Sequence, residues 1–321
     1  MTPAAFWSIA AGQGAIRPAA APDPGPGEVR LRALWSAISR GTEALVFTGH
    51  IPESEYKRMR SPFQEGEFPF PVKYGYQLVG IVEAGPPERV GELCFCLHPH
   101  QTHATVPGEA AVPLPAGLTP ARAVLAANME TALNALIDAA PRPGDRIAVV
   151  GAGVVGCLVA RLAAQIPGTE VELCDIDPAK AAVAAALDLS FAAPLPTLAD
   201  CDLVFHASGN PAGLEPALHA AGFEGKVVEL SWFGDRPVTL PLGGDFHAKR
   251  LSLVSSQVGS VATARRARWP HRRRIETALR LLLDDDLDAL FTGDTAFADL
   301  PRAMGRILAD PRTLCHRILY D

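Results

Sequence analysis

Ile147–Gly156 reads IAVVGAGVVG, an apolar run that opens into three glycines at the spacing G-x-G-x-x-G. Arg146–Val150 is β-branched enough for a buried strand and follows the turn signal Pro143-Gly144-Asp145, while Val154–Ala164 is apolar and alanine-rich, as a helix would be. The order predicted is strand, tight turn, helix. In such a turn Gly151 permits the bend, Gly153 lets a pyrophosphate approach the backbone, and Gly156 lets the helix lie close on the strand. The first N–H groups of the helix, at Val154 and Val155, then face the phosphates together with the positive end of the helix dipole.

A glycine triplet alone is a weak sign, because such turns also serve only to pack a helix on a sheet. Its surroundings strengthen it. Val171–Asp175 reads as a second strand and ends in a carboxylate about 20 residues beyond the glycines. Asp175 is expected to accept hydrogen bonds from both ribose hydroxyls of an adenosine and to repel the extra phosphate of NADP, so NAD is favoured. The alternation continues with a helix at Pro178–Leu187, a strand at Asp202–Ala207 ending in Ser208-Gly209, and a helix at Pro211–Ala221. Strands at Lys226–Leu230, just before Ser231, and at Leu251–Ser255 complete it. Repeated βαβ units predict a doubly wound parallel α/β sheet of the Rossmann type. The cofactor-binding set expected is Gly151, Gly153, Val154, Val155, Gly156, Asp175, Ser208, Gly209 and Ser231.

At 321 residues the chain exceeds the usual span of one core, so two domains are expected. A net charge of -6 with both signs interspersed gives no reason to expect a nucleic acid or an acidic surface as partner. No uninterrupted apolar stretch of about 18 residues is present and no basic region precedes an apolar one at the N-terminus, so the expectation is a cytoplasmic protein with no membrane partner. Six cysteines occur without a C-x-x-C pair. Cys157, Cys174 and Cys201 fall in the predicted sheet and helix core, where they read as small buried hydrophobes rather than disulfide partners.

Before Pro120 the pattern changes to short β-rich pieces punctuated by Pro and Gly. Strands are expected within Pro24–Arg32, Gln77–Glu83 and Arg89–Phe95. After the parallel sheet, helical periodicity covers Ile275–Leu283 and Leu300–Leu308, and Cys315–Leu319 reads as a final strand returning to the β-rich part. The boundaries that follow are 1–125, 126–258 and 259–321.

This order of elements resembles the medium-chain dehydrogenase/reductase superfamily over essentially the whole chain. The residues that carry the resemblance are Pro-Gly-x-Gly-Glu-Val near the start, Gly41-Thr42-Glu43 before Gly49, Gly75-Tyr76-Gln77-x-Val79-Gly80, and Pro143-Gly-Asp-Arg before the glycine turn. Ser39-x-Gly-Thr-Glu43 is also similar to the bacteriochlorophyllide hydroxyethyl dehydrogenase type. The resemblance implies a GroES-like β-rich catalytic domain, a Rossmann domain, a small-molecule alcohol or carbonyl substrate, and a homodimer paired through the edge at Leu251–Val258.

Departures from the family matter for the chemistry. Zinc-dependent members have Gly-His-Glu where this chain has Gly75-Tyr76-Gln77, and they supply a cysteine near Ser39 or Arg40 and often a further ligand near Glu130. The four-cysteine structural lobe is missing as well. A tetrahedral site needs three or four well-placed ligands, so no zinc is expected. Cys94, Cys96, His98 and His100 alternate in a way that puts them on one face if extended, yet same-face neighbours on a strand lie about 7 Å apart, too far for all of them to share one ion without bending.

Without a metal, hydride transfer to or from a carbonyl needs another source of oxygen polarisation, and Tyr76 is the expected donor, with Lys73 as a cation able to lower its pKa. Thr42 and Glu43 stand where the family places a hydroxyl relay and a structural acid, and Glu130 or His100 is expected to pass the proton to solvent. The catalytic set is therefore Tyr76, Thr42, Glu43, Glu130 and His100. The run Arg265–Arg274 (RRARWPHRRR) reads as a solvated basic face or as a contact for an anionic substrate. The main functional expectation is a zinc-independent, NAD-dependent oxidoreductase interconverting a secondary alcohol and a carbonyl. Reduction of a C=C bond, as in enoyl or quinone reductases, and a catalytically inactive dinucleotide-binding protein stand as alternatives.

Overall fold

A computed structural model describes residues 2–320. It divides into two compact units: residues 1–127 with 279–321, and residues 128–278. Residues 259–278, expected to travel with the C-terminal return, cluster with the second unit. The reason is Arg274, whose guanidinium is buried there on Glu130, Asn134 and the Val258 carbonyl.

The first unit is β-rich. Its larger sheet is built around the long strand Glu28–Ile38, which pairs antiparallel with Leu78–Ala84, with His103–Pro107 and with the final strand Cys315–Leu319. Alternation along Glu28–Ile38 sends Val29, Leu31 and Ala33 inward with Leu78, Val82, Cys94, Cys96 and Val106 to make one core. A second core gathers Phe6, Ile38, Phe47, Leu300, Met304, Ile307 and Ile318 under the helix Leu300–Ala309. The helix Arg40–Thr48 follows the central strand directly and stops at Gly49, whose φ of 81° closes the end in the left-handed conformation. This helix sets Thr42 and Glu43 beside the strand that carries Ser36.

The second unit is a six-stranded, all-parallel sheet. Its strand order across the sheet is Ser190–Ala192, Glu170–Cys174, Arg146–Val150, Cys201–His206, Ala221–Glu229, Ser252–Ser255. The order reverses beside Arg146–Val150, which puts the glycine turn at the switch point where ligands bind in such sheets. The strand at Ser190–Ala192 had no counterpart in the sequence reading. Ala221, expected to end a helix, instead begins a strand that runs to Glu229. Between Ala221 and Lys226 the register shifts, so Cys201 pairs with Ala221 and Leu203 with Lys226. All six cysteines are free and buried. Among the described residues no helix is long and apolar enough to cross a membrane.

Candidate functional site

The glycine turn has the geometry its sequence predicts. Gly151 takes a φ of 111°, and a Cβ there would stand 2.6 Å from the Ser208 backbone. One on Gly156 would meet the Gly151 carbonyl at 1.8 Å, so no side chain is tolerated at either position. Nothing lies near Gly153, and the helix Val154–Ala164 that it caps carries no side-chain cap. Its first N–H groups are therefore available to a ligand. Asp175 closes the mouth of the turn: Oδ2 accepts from the Ala152 N–H at 2.7 Å and Oδ1 from the Asp177 N–H at 3.0 Å. Each carboxylate oxygen keeps accepting capacity beyond those bonds.

At the carboxyl ends of the next two strands, Ser208, Gly209 and Ser231 share one hydrogen-bonded knot. The Gly209 N–H donates to Ser231 Oγ at 3.1 Å, and the Ser231 N–H donates to Glu229 Oε1 at 2.6 Å. Ser208 Oγ lies 2.7 Å from Nε2 of the fully buried His206, which sequence reasoning had passed over as a strand residue.

In the first unit Thr42, Glu43, Tyr76 and His100 come together. His100 is fully buried, with Nε2 2.9 Å from Glu43 Oε2 and Nδ1 2.8 Å from Ser36 Oγ. Ser36 Oγ lies 2.9 Å from the Tyr320 hydroxyl, an arrangement that follows from the register pairing Ser36 with Ile318 and Trp35 with Leu319. Glu43 also accepts from the Ser39 N–H at 2.7 Å, reaching back four residues to the start of its own helix. Ser36 and Tyr320 were missed from the sequence, since nothing in linear spacing joins residues 284 apart.

Tyr76 is part-buried and packs edge-on against Tyr74 with ring centroids 6.0 Å apart. Desolvation, with the negative charge of Glu43, pushes its pKa up to about 12, against the opposing hydrogen bonds of the Ser39 and Thr42 side chains. The expected lowering by Lys73 is not found. Lys73 is buried elsewhere, donating to Glu65 Oε1 at 2.5 Å and to Gln101 Oε1 at 2.7 Å. Gln77 is fully buried with its Nε2 3.4 Å from the Ala37 carbonyl, and its Oε1 has no hydrogen-bond partner.

Two expectations need correction. Glu130 lies in the second unit and is committed to Arg274 at 2.9 Å, where burial raises its pKa and the guanidinium opposes that rise. The basic run is not a uniform solvated face, because Arg274 is buried while the other arginines of the run are exposed and Arg273 stacks on Trp269 at 4.3 Å. The Cys-His stretch is a short strand that runs into a loop. Its strand ends at Cys96, both cysteines sit in an apolar core, His98 bonds the Pro99 carbonyl, and His100 is engaged as above. Burial takes the Cys96 thiol up to about 12 and the His98 imidazole down to about 4. Among the described residues no three His, Cys, Asp or Glu side chains are grouped as a metal ion requires.

A doubly wound parallel sheet and a β-rich unit completed by the C-terminal strand make up the fold. No protein-family model matches the chain. Solved structures share its fold at low identity. An Escherichia coli CFT073 protein called short chain alcohol dehydrogenase (rspB), in complex with NADH, matches with a TM-score of 0.78 at 17% identity over 99% of this chain and 100% of that one. A Sinorhizobium meliloti 1021 protein described as a zinc-binding dehydrogenase, bound to NADP, gives 0.76 at 18% identity over 99% of each. The 2R,3R-butanediol dehydrogenase of Bacillus subtilis gives 0.77 at 16% identity over 99% of this chain and 100% of that one.

Proposed function

We propose that the chain is an NAD-dependent oxidoreductase that interconverts a secondary alcohol and a carbonyl without a catalytic zinc ion. The observation that carries this reading is the turn at Gly151–Gly156: two glycines that admit no side chain, an uncapped helix start, and Asp175 anchored at the mouth. These residues fit a dinucleotide. NAD supplies the hydride acceptor when bound and, reduced, the hydride donor. Gly153, Val154 and Val155 offer N–H groups to the pyrophosphate, and Asp175 accepts from the ribose hydroxyls while its charge disfavours a 2′-phosphate. Ser208, Gly209 and Ser231 complete the cofactor face at the neighbouring strand ends.

Tyr76 is the proposed hydrogen-bond donor to the substrate oxygen. With its pKa raised to about 12 the phenol stays protonated at neutral pH, with the Ser39 and Thr42 side chains beside it. One such donor is worth about 2.7–4 kcal/mol of barrier. Glu43 holds His100 in place, and His100 is the remaining residue for passing a proton onward. The residues do not fit a tetrahedral zinc site: hydroxyls, a phenol and an amide oxygen are not the ligands zinc prefers, and the imidazole beside them, His100, has both ring nitrogens engaged by Glu43 and Ser36. That donor chemistry, together with the commitment of Glu130 to Arg274, supports the metal-free reading. A homodimer paired through the sheet edge at Ser252–Ser255, where Val254 is exposed, is proposed alongside it.

Fluorescence titration of the purified protein with NADH and with NADPH is the test, followed by a screen of paired ketones and enones. Selective NADH binding and ketone turnover are expected. Turnover of enones alone would shift the reading to C=C reduction, and binding of neither nucleotide would overturn it.

A further inference from the structure

Glu229, His206 and Ser208 form a row in the second unit, of which the dinucleotide reading uses only Ser208, at the cofactor face. His206 Nδ1 lies 2.7 Å from Glu229 Oε2, and Nε2 lies 2.7 Å from Ser208 Oγ. The ring is fully buried, whereas Ser208 is exposed. Glu229 is held from behind by the Ser231 N–H, and His206 stacks on Phe233 with ring centroids 6.3 Å apart. A Cβ at Gly213 would stand 2.6 Å from His206 Nε2 and 2.9 Å from Ser208 Oγ, so the glycine leaves these two atoms the room they occupy.

Counting protons sets the direction of each bond. An ionised carboxylate only accepts, so His206 Nδ1 carries a hydrogen and donates it to Glu229. With one hydrogen on the ring, that leaves a lone pair at Nε2, into which the Ser208 hydroxyl can donate. The Asn210 N–H donates to Ser208 Oγ at 3.1 Å. Ser208 Oγ also lies 3.1 Å from the Asn210 carbonyl, but a hydroxyl has one proton and the contact to His206 is the shorter. A nucleophile within reach of a base that is oriented by a third group is the arrangement that activates serine.

We propose that Ser208 is a nucleophile toward small activated carboxylic esters, with His206 as its general base and Glu229 as the residue that positions the ring. The Ser208 Oγ–acyl bond forms as the Ser208 proton moves to His206 Nε2. The ester C–O bond breaks and that proton leaves with the alcohol. Water then attacks the acyl-serine and gives its proton to the same nitrogen, which returns it to Ser208 as the carboxylic acid departs. Ester and water are the only reactants, so the activity stands independently of hydride transfer.

The test uses the full chain without nucleotide, treated with p-nitrophenyl acetate and, separately, with a fluorophosphonate whose P–F bond is replaced by a bond to serine. The expected result is one phosphonyl adduct per chain, mapped by peptide mass spectrometry to Ser208, with p-nitrophenol release that Ser208→Ala abolishes. His206→Gln is expected to slow both reactions by about a hundredfold or more, as loss of a general base does. Glu229→Gln is expected to slow acylation and move its pH midpoint, which a carboxylate with only a structural role would leave in place. Absence of an adduct at Ser208, the result if its proton rests on the Asn210 carbonyl, would overturn the proposal. So would an adduct that forms as fast in His206→Gln as in the unaltered chain.

Discussion

Each unit holds a row of the same three residue types. In the first, Ser36 meets His100 at Nδ1 and Glu43 meets it at Nε2; in the second, Ser208 meets His206 at Nε2 and Glu229 meets it at Nδ1. Ser36 is fully buried and also shares a hydrogen bond with Tyr320, while Ser208 faces water. Buried polar groups have to be paired, and in the first row every contact serves that need. The lesson is that a serine, a histidine and a glutamate are not by themselves a reactive set. Solvent access to the serine oxygen separates a row that holds a site together from one that can attack a ligand.

The largest expected effect tests the tie in the first row. Glu43→Ala leaves His100 and the Ser39 N–H without their buried acceptor and should cost about 3 kcal/mol, at about 1–3 kcal/mol per unsatisfied group. Glu229→Ala should cost less, about 1–2 kcal/mol, because the Ser231 hydroxyl already lies 3.5 Å from His206 Nδ1 and can take over as its partner. Urea unfolding of the two variants side by side gives the answer, and equal losses would break the comparison.

Next comes Tyr76→Phe. Loss of the donor should lower kcat/KM on any ketone found in the screen by about a hundredfold, with NADH affinity unchanged in a parallel titration. Loss of NADH binding instead would make Tyr76 a packing residue. The raised pKa also fixes a sign: the folded chain holds this proton more tightly than the unfolded chain, so stability falls as pH rises from 10 toward about 12.

A smaller effect is expected from His98, near the first row. Burial lowers its pKa from 6.5 to about 4, so below pH 6.5 the unfolded chain takes up a proton that the folded chain refuses. Stability should drop by about 1 kcal/mol by about pH 5.5 and continue downward until the folded pKa is reached. His98→Gln should flatten that stretch of a denaturation-against-pH curve, and an unchanged slope would assign the acid sensitivity to other groups. The smallest effect is on the stability of Ser208→Ala, within about 0.5 kcal/mol for an exposed side chain. A larger loss in thermal unfolding would mean that the second row is as structural as the first.

The turn and the helix at Val154–Ala164 were readable because glycine at a φ of 111° and an apolar run of helical length are local properties. The strand Cys315–Leu319 was equally plain, with the bounds the pattern predicts. Ser190–Ala192 was not, being three residues long with no alternation to mark it. In the candidate site, Tyr76, Thr42 and Glu43 stood out by motif position and His100 by the Cys-His stretch around it. Glu130 was misplaced because its partner Arg274, 144 residues away, stands in what reads as a basic surface run.

The sequence alone thus determined the alternation that makes a parallel sheet, the glycine turn, and the acidic residue that closes it, since each is written in spacing, backbone freedom or residue type within a short window. Only the tertiary structure decided which ionisable groups touch. Register brought Tyr320 to Ser36, and packing buried Arg274 on Glu130 and turned His206 between Glu229 and Ser208. Hydrogen bonds act over about 3 Å, and which side chains come within that range is settled by strand register and core packing, not by distance along the chain.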